Sequence, residues 1–240
     1  MKTTRHILAV LLAAAATGAA RAQGEAPLRP VNDAQLWFSA ATEFKPFRKK
    51  QGQVAQARFF RKLRATVELD LRLKENASEL NQTNINAGLF YAITNYMRVG
   101  SEYRYSIRDP YSANRHRIDA QLRFKGKKGR LDGDFRTKYQ HSFVAPKKLR
   151  TELRNRIGLE YDIPKWKLDP IVNVESFTAL HYTGNRLVGM RYDLGTEFRL
   201  DKNKQTTLEI TLRHDREMNI KEPDHAWVLA LAFEYSPKKK

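Results

Sequence analysis

A chain of 240 residues without cysteine, carrying a formal charge of +18, has no disulfide framework and no thiol chemistry. It must draw its stability from a packed core or from closure of a sheet. The length permits one domain or a small pair, and in a cytosolic protein so basic a balance would point to nucleic acid.

The N-terminus turns that reading aside. Lys2 and Arg5 form a charged n-region, Ile7 to Ala16 an apolar run, and Ala20-Arg21-Ala22 a cleavage site, the layout of an export signal. Removing residues 1–22 leaves 41 basic against 26 acidic side chains, a charge of +15. In an exported protein that charge points to anionic lipid headgroups, lipopolysaccharide phosphates or acidic solutes, and not to nucleic acid. No second run is long and apolar enough for a transmembrane helix. A mean hydropathy of −0.64 still suits a membrane barrel, whose strands spend half their residues on a polar interior. The expected division is a signal over 1–22, a short periplasmic segment over 23–33, a barrel over 34–235 and a basic tail over 236–240.

Along the rest of the chain the side-chain period is two, the signature of strands. Gln35–Phe44 alternates through Leu36, Phe38, Ala40, Thr42 and Phe44, and Val54–Phe60 does so weakly. Leu63, Ala65, Val67, Leu69, Leu71 and Leu73 are apolar, while Arg64, Thr66, Glu68, Asp70 and Arg72 between them are polar. The pattern repeats with Ile85–Ile93, Met97–Tyr105, His116–Phe124, Leu131–Tyr139 and Leu149–Tyr161. Val172–Leu180, Val188–Leu200, Leu208–Leu212 and Trp227–Tyr235 complete it. From Leu63 onward, no Lys, Arg, Asp or Glu falls on any apolar face.

A charge facing lipid near the midplane costs about 2–4 kcal/mol for Lys or Arg, so a bilayer would impose that absence. A soluble sandwich would impose it on its inner face too. Three features favour lipid: strands of ten residues or more, aromatics (Tyr103, Tyr105, Tyr139, Tyr161, Tyr192, Phe198, Tyr235) set toward strand ends as a girdle, and polar-face glycines (Gly88, Gly100, Gly158, Gly189, Gly195) that leave room in a lumen. The expected fold is an all-β, antiparallel up-and-down transmembrane β-barrel. Tight connections (Thr94-Asn95, Gly126–Gly129, Pro164-Lys165, Asp201–Lys204) alternate with longer ones (Asp109–Asn114, Ser142–Lys148, Tyr182–Asn185, Glu217–Asp224). That alternation places the C-terminus in the periplasm. Counting Gln35–Phe44 and Val54–Phe60 brings the N-terminus there as well and gives about twelve strands, with ten possible.

The markers Trp37, Glu68-Leu69-Asp70-Leu71-Arg72, Gly100-Ser101-Glu102-Tyr103-Arg104-Tyr105 and Arg115-His116-Arg117 stand in order along the chain. Leu153-Arg154-Asn155-Arg156, Glu160-Tyr161, Val174-Glu175-Ser176-Phe177 and Gly189-Met190-Arg191-Tyr192 follow them. Together they resemble DUF2490, a bacterial family of unknown function whose members are predicted outer-membrane β-barrels. The resemblance implies a barrel, an outer-membrane address and delivery by the barrel-assembly machinery, and it supplies no reaction, ligand or catalytic residue. Two departures stand out: a long stretch between Trp37 and Arg72, and an end at Phe233-Glu234-Tyr235 followed by Ser236, Pro237 and three lysines.

The inward face is ionic, and cross-strand neighbours of opposite sign are expected to pair. One reading is an Arg/Asp/Glu network that fills and stiffens a narrow lumen, with Arg suited by its bidentate fork. The alternative is a narrow channel for small anions or acidic saccharides. It would use one strip of Arg98, Arg104, Arg115, Arg117 and Arg123, and a second of Arg150, Arg154 and Arg156, interleaved with Glu102, Asp119, Glu152 and Glu160. Ala226, Ala230 and Ala232 would keep one wall open. An outer-membrane hydrolase is the reading from another class. It lacks a constellation: His141 and Ser142 are neighbours in one strand and point to opposite faces. His116, His181, His214 and His225 have no serine partner or metal-ligand spacing. No cofactor or metal is expected.

Overall fold

The computed structural model describes residues 31–47, 56–108, 113–144, 148–164, 166, 168–181, 184–201, 205–219 and 223–236. The expected export signal, the segment before Val31 and the C-terminal lysines lie outside the described residues, as do the tips of several loops.

Eleven strands follow one another: β1 (Val31–Phe44), β2 (Leu63–Lys74), β3 (Glu79–Ala92), β4 (Met97–Arg108), β5 (Arg115–Lys128) and β6 (Leu131–Val144) come first. Next are β7 (Lys148–Tyr161), β8 (Leu168–Ala179), β9 (Arg186–Arg199), β10 (Thr206–Glu217) and β11 (Asp224–Tyr235). Each pairs antiparallel with the next, and β1 closes the barrel on β11 in parallel. Eleven lies between the ten and twelve that the alternation allows.

The difference from twelve is the weak segment Val54–Phe60. Val54 and Ala55 lie outside the described residues, and Gln56–Lys62 is a helix, α1. Gln, Ala, Arg and Lys are good helix formers, and adjacent Phe59 and Phe60 cannot both face one side of a strand. The odd count has a topological cost. In a meander of eleven, the first and last strands run the same way, so the closing pair is parallel where an all-antiparallel barrel was expected. Val31 pairs with Asp224 at one rim and Thr42 with Tyr235 at the other. The start of β1 and the end of β11 therefore lie at opposite rims. The expectation that both ends share a rim belonged to an even count.

Burial is inverted relative to a water-soluble domain. The side chains sealed inside are polar: Asn84 is 0 % exposed, Asp119 1 %, Ser106 1 % and Ser142 1 %, whereas outward Leu194 is 61 % exposed and Leu89 55 %. Strands of 12 to 14 residues at a tilt near 40° rise about 30–35 Å, enough to cross a hydrocarbon layer.

Two irregularities break the alternation. The pairing of β2 with β3 shifts after Arg72, leaving Asn81 unopposed, and that of β8 with β9 shifts after Phe177, leaving Val188 unopposed. Val188, expected on the lipid face with Met190, is buried as a result. The aromatic girdle also differs from expectation. Tyr161 and Tyr235 end their strands, while Tyr103 and Tyr192 sit midway along theirs. Tyr96 and Trp166, in connections at the tight-turn rim, are each 61 % exposed.

Candidate functional site

Inward residues of neighbouring strands form rows across the sheet, and stretches of several rows carry a single sign. Arg98 stands opposite Arg123, Arg123 opposite Arg136, and Arg136 opposite Arg156. Arg104 faces Arg117, Glu102 faces Asp119, and Glu197 faces Glu209. The expected pairing of opposite charges directly across strands holds for Arg191 with Asp215 and Arg213 with Asp193, at 2.6 and 2.7 Å. Lys127 with Asp132 at 2.8 Å and Glu175 with Arg191 at 3.6 Å are opposite as well, but many other ion pairs run diagonally or skip strands. Asp134 takes Arg123 at 2.9 Å and Arg156 at 3.2 Å from the next row, and Arg98 on β4 reaches Glu43 on β1 at 2.8 Å. A long arginine in a closed cylinder has carboxylates within reach that are not its ladder neighbours.

Glu175 on β8 gathers three arginines. It accepts from Arg154 Nη2 at 2.7 Å and Arg136 Nη2 at 2.8 Å, lies 3.6 Å from Arg191 Nη1, and is 3 % exposed. Beside it, the indole of Trp37 is capped by three guanidinium groups, Arg72 at 3.8 Å, Arg213 at 5.0 Å and Arg191 at 5.4 Å from the ring centre. Each of those arginines is held by its own aspartate: Asp70, Asp193 or Asp215. Cation–π contacts gain in strength when removed from water.

The proposed strips are only partly assembled. Arg98 and Arg123 border one cavity, and Arg104 and Arg117 a second, with the Glu102 and Asp119 row between these two pairs. Arg104 donates from Nε to Asn86 Oδ1 and lies 3.9 Å from Asp70. Arg115 opens β5 opposite Ser106, near the loop rim. In the second strip, Arg154 and Arg156 share the sites already described. Arg150 takes a register position opposite Ser142. Lys138 donates to Asp119 at 3.2 Å, Glu152 accepts from Gln140 at 3.5 Å, and Glu160 lies 3.9 Å from Arg199. Trp37, Glu175, Arg136, Arg191 and Arg213 were the central residues not singled out. Their signal was an inward parity shared with the many other charged residues of that face, which ranks none of them.

Two cavities are stacked in the lumen. The larger, about 940 Å³, opens at the tight-turn rim, where Tyr96, Gly126 and Lys127 border it, and nine acidic against six basic side chains line it. The inner one, about 270 Å³, reverses that balance, with nine basic against six acidic. The mouth is also divided side to side. The side formed by β1, β2 and β9 to β11 is purely acidic (Glu43, Glu68, Glu197, Glu209 and Glu234), while all six basic groups come from β4 to β7, across the lumen, where Glu102, Asp132, Asp134 and Glu160 are interleaved with them.

The glycines expected to leave open space are filled by neighbours. The Phe90 ring lies over Gly88 and Gly100, and Asp134 and Asn173 press on Gly158. The histidines of the strands sit on the outer face among aromatics: His116 against Tyr105 at 4.9 Å, His141 against Phe143 at 4.6 Å and His214 against Trp227 at 4.4 Å.

No curated protein and no solved structure matches this sequence. A family model described as "Protein of unknown function (DUF2490)" matches residues 34–224, a span running from early in β1 to the first residue of β11. A match over that much of the barrel shows that the chain belongs to the DUF2490 family.

Proposed function

We propose that this DUF2490 barrel resides in the bacterial outer membrane, with its lumen closed by an Arg/Asp/Glu network instead of serving as an open pore. The observation that carries the reading is the inverted burial: polar groups sealed inside and large apolar side chains exposed around the outside. Helix α1 supports it. Phe59 stacks on outward Tyr91 at 4.9 Å and Phe47 meets Phe60 at 4.5 Å, while Lys62 donates to the Ile93 carbonyl at the same rim. Aromatic and basic groups together suit the headgroup layer. The partners that follow are lipid, lipopolysaccharide and the barrel-assembly machinery.

The anion-conducting reading draws support from the basic inner chamber. Against it stands the mouth, whose acidic excess repels anions approaching from the tight-turn rim. No catalytic step is assigned.

The test has two arms. Expressed with its own N-terminus in a Gram-negative host, the protein is expected in the outer-membrane fraction, with faster gel mobility before boiling than after. Recovery as a folded, detergent-free species would overturn the address. In planar bilayers the purified barrel is expected to give no stepwise current. A steady, anion-selective conductance would replace closure with the channel.

A further inference from the structure

The strand histidines share one rim of the outer face. His116 stands second in β5 and His225 second in β11, and His141 and His214 stand fourth from the ends of β6 and β10, all toward the long connections. Two of them are satisfied within the sheet. His116 Nδ1 lies 2.7 Å from the Tyr103 hydroxyl and His141 Nδ1 lies 2.9 Å from the Thr151 hydroxyl. His214 and His225 differ: among the described residues neither imidazole makes a hydrogen bond, and beside them Arg216 has no ion pair and the Trp227 indole no acceptor.

These four side chains form one patch. The His214 ring stacks on Trp227 at 4.4 Å and meets His225 edge-on at 6.0 Å, and one row nearer the rim Arg216 stands opposite His225. Their acidic neighbours in sequence have inward parity: Asp215 is held by Arg191 at 2.6 Å, and Glu217 accepts from the Asp224 backbone N–H at 3.1 Å. Tyr235, at the far end of β11, follows Trp227 by eight residues, a rise of about 20 Å at a tilt near 40°. Leu229, Leu231 and Phe233 face outward between them, so Trp227, 51 % exposed, marks the edge of the apolar band. Arg216 and His225 stand about 5 Å beyond it, at headgroup depth. Unmade donors are costly against hydrocarbon, and at that depth they meet phosphate.

We propose that the outer face of β10 and β11 binds the phosphorylated sugar headgroup of one lipopolysaccharide molecule, with Arg216 and His225 on the phosphate and the stacked Trp227 and His214 rings against the sugar. A guanidinium pairs with phosphate through charge-assisted bonds, and the electron-rich face of an aromatic ring takes the C–H edge of a pyranose. The long connections mark this rim as the outward one, where lipopolysaccharide forms the leaflet. The inference rests on the outer-membrane reading and names the lipid contact that reading leaves general.

The test uses the full-length folded barrel in dodecyl maltoside, which carries no phosphate, and purified deep-rough lipopolysaccharide, with native mass spectrometry counting the lipid retained. Saturable retention of one lipopolysaccharide per chain is expected. Arg216→Gln, and His214→Gln with His225→Gln, should each weaken it about tenfold, the equivalent of one charged hydrogen bond, and removing the phosphates from the lipid should do the same to the wild type. His116→Gln, at the same rim but bonded to Tyr103, should leave it unchanged. If a patch variant fails to fold, judged by its gel mobility before boiling, the comparison of intact with phosphate-stripped lipid decides alone. Equal retention of the stripped lipid, equal retention of phosphatidylglycerol, or equal weakening in all three variants would overturn the proposal while leaving the barrel in its membrane. Recovery of the chain as a folded, detergent-free species would overturn the address and this site with it.

Discussion

Replacing Glu175 with Gln keeps the side-chain shape and removes the charge that three arginines share. The native carboxylate makes bonds of 2.7 and 2.8 Å to Arg154 and Arg136 and stands 3.6 Å from Arg191. The amide offers one oxygen and sets an NH₂ against a guanidinium, so one charged hydrogen bond is lost and the other weakened. Removing one partner of a buried ion pair costs about 3–5 kcal/mol. Arg191 is spared because Asp215 holds it through two bonds of 2.6 Å. That places Glu175→Gln at the lower end, about 3 kcal/mol. Urea unfolding from lipid vesicles measures it, read by Trp37 fluorescence in a Trp166→Phe/Trp227→Phe background. Of the three tryptophans, Trp37 lies in the lumen, 5.4 Å from the Arg191 guanidinium. Adding Arg136→Gln removes one stranded cation, and the double variant should recover about 1 kcal/mol of the loss. A Glu175→Gln stability within about 0.5 kcal/mol of the parent, the range of ordinary surface changes, would mean that water solvates these charges and that no network closes the lumen.

Leu194→Arg, at an outward position 61 % exposed midway along β9, should cost about 2–4 kcal/mol in the same vesicle assay; an effect near zero would take lipid away from that face. Gly100→Ala drives a methyl group into the Phe90 ring and to 2.7 Å from the Leu89 carbonyl oxygen. It should destabilise by about 1–3 kcal/mol, and by less when Phe90→Ala is already present. Strict additivity of those two changes would refute the ring-over-glycine packing. Phe60→Trp, placed on α1 with Trp166 and Trp227 replaced by Phe, should be quenched by lipids brominated near the headgroup while Trp37 is not. Absence of quenching would lift α1 off the membrane.

The faces were legible before the folding was known. A period of two assigns inward and outward parity residue by residue, and Arg104, Asp119, Glu152 and Arg154 are inward as that parity requires. Parity is a one-dimensional signal, however. It says which side a charge faces and nothing of which charge it meets, because the partner depends on register, shear and curvature. Arg98 finds Glu43 three strands away, and no reading along the chain brings those two together. The helix at Gln56–Lys62 was missed for a related reason. Over seven residues an imperfect alternation and a short amphipathic helix look alike, and the parity rule for bacterial barrels tipped the choice toward a twelfth strand. Bulges were invisible in principle, since an unopposed Val188 breaks no rule within its own strand.

The closing seam shows how the odd count and the lumen depend on one another. With β1 parallel to β11, Trp37 stands opposite Ala230 and Ser39 opposite Ala232, while Arg72 faces Trp37 from the other side on β2. The alanines that looked like an open wall are the space into which the Trp37 indole and its arginines fit, and Ala230 and Ala232 border the same chamber as Trp37. A one-residue slip of this seam would turn Trp37 to the outer face and Phe38 inward. Arg72 would then lose its aromatic cap, and Arg191 and Arg213, which approach the same ring from β9 and β10, would lose theirs. The parallel pair is thus held in register by its own ladder of twelve paired residues and, beside it, by one aromatic side chain that must lie inside.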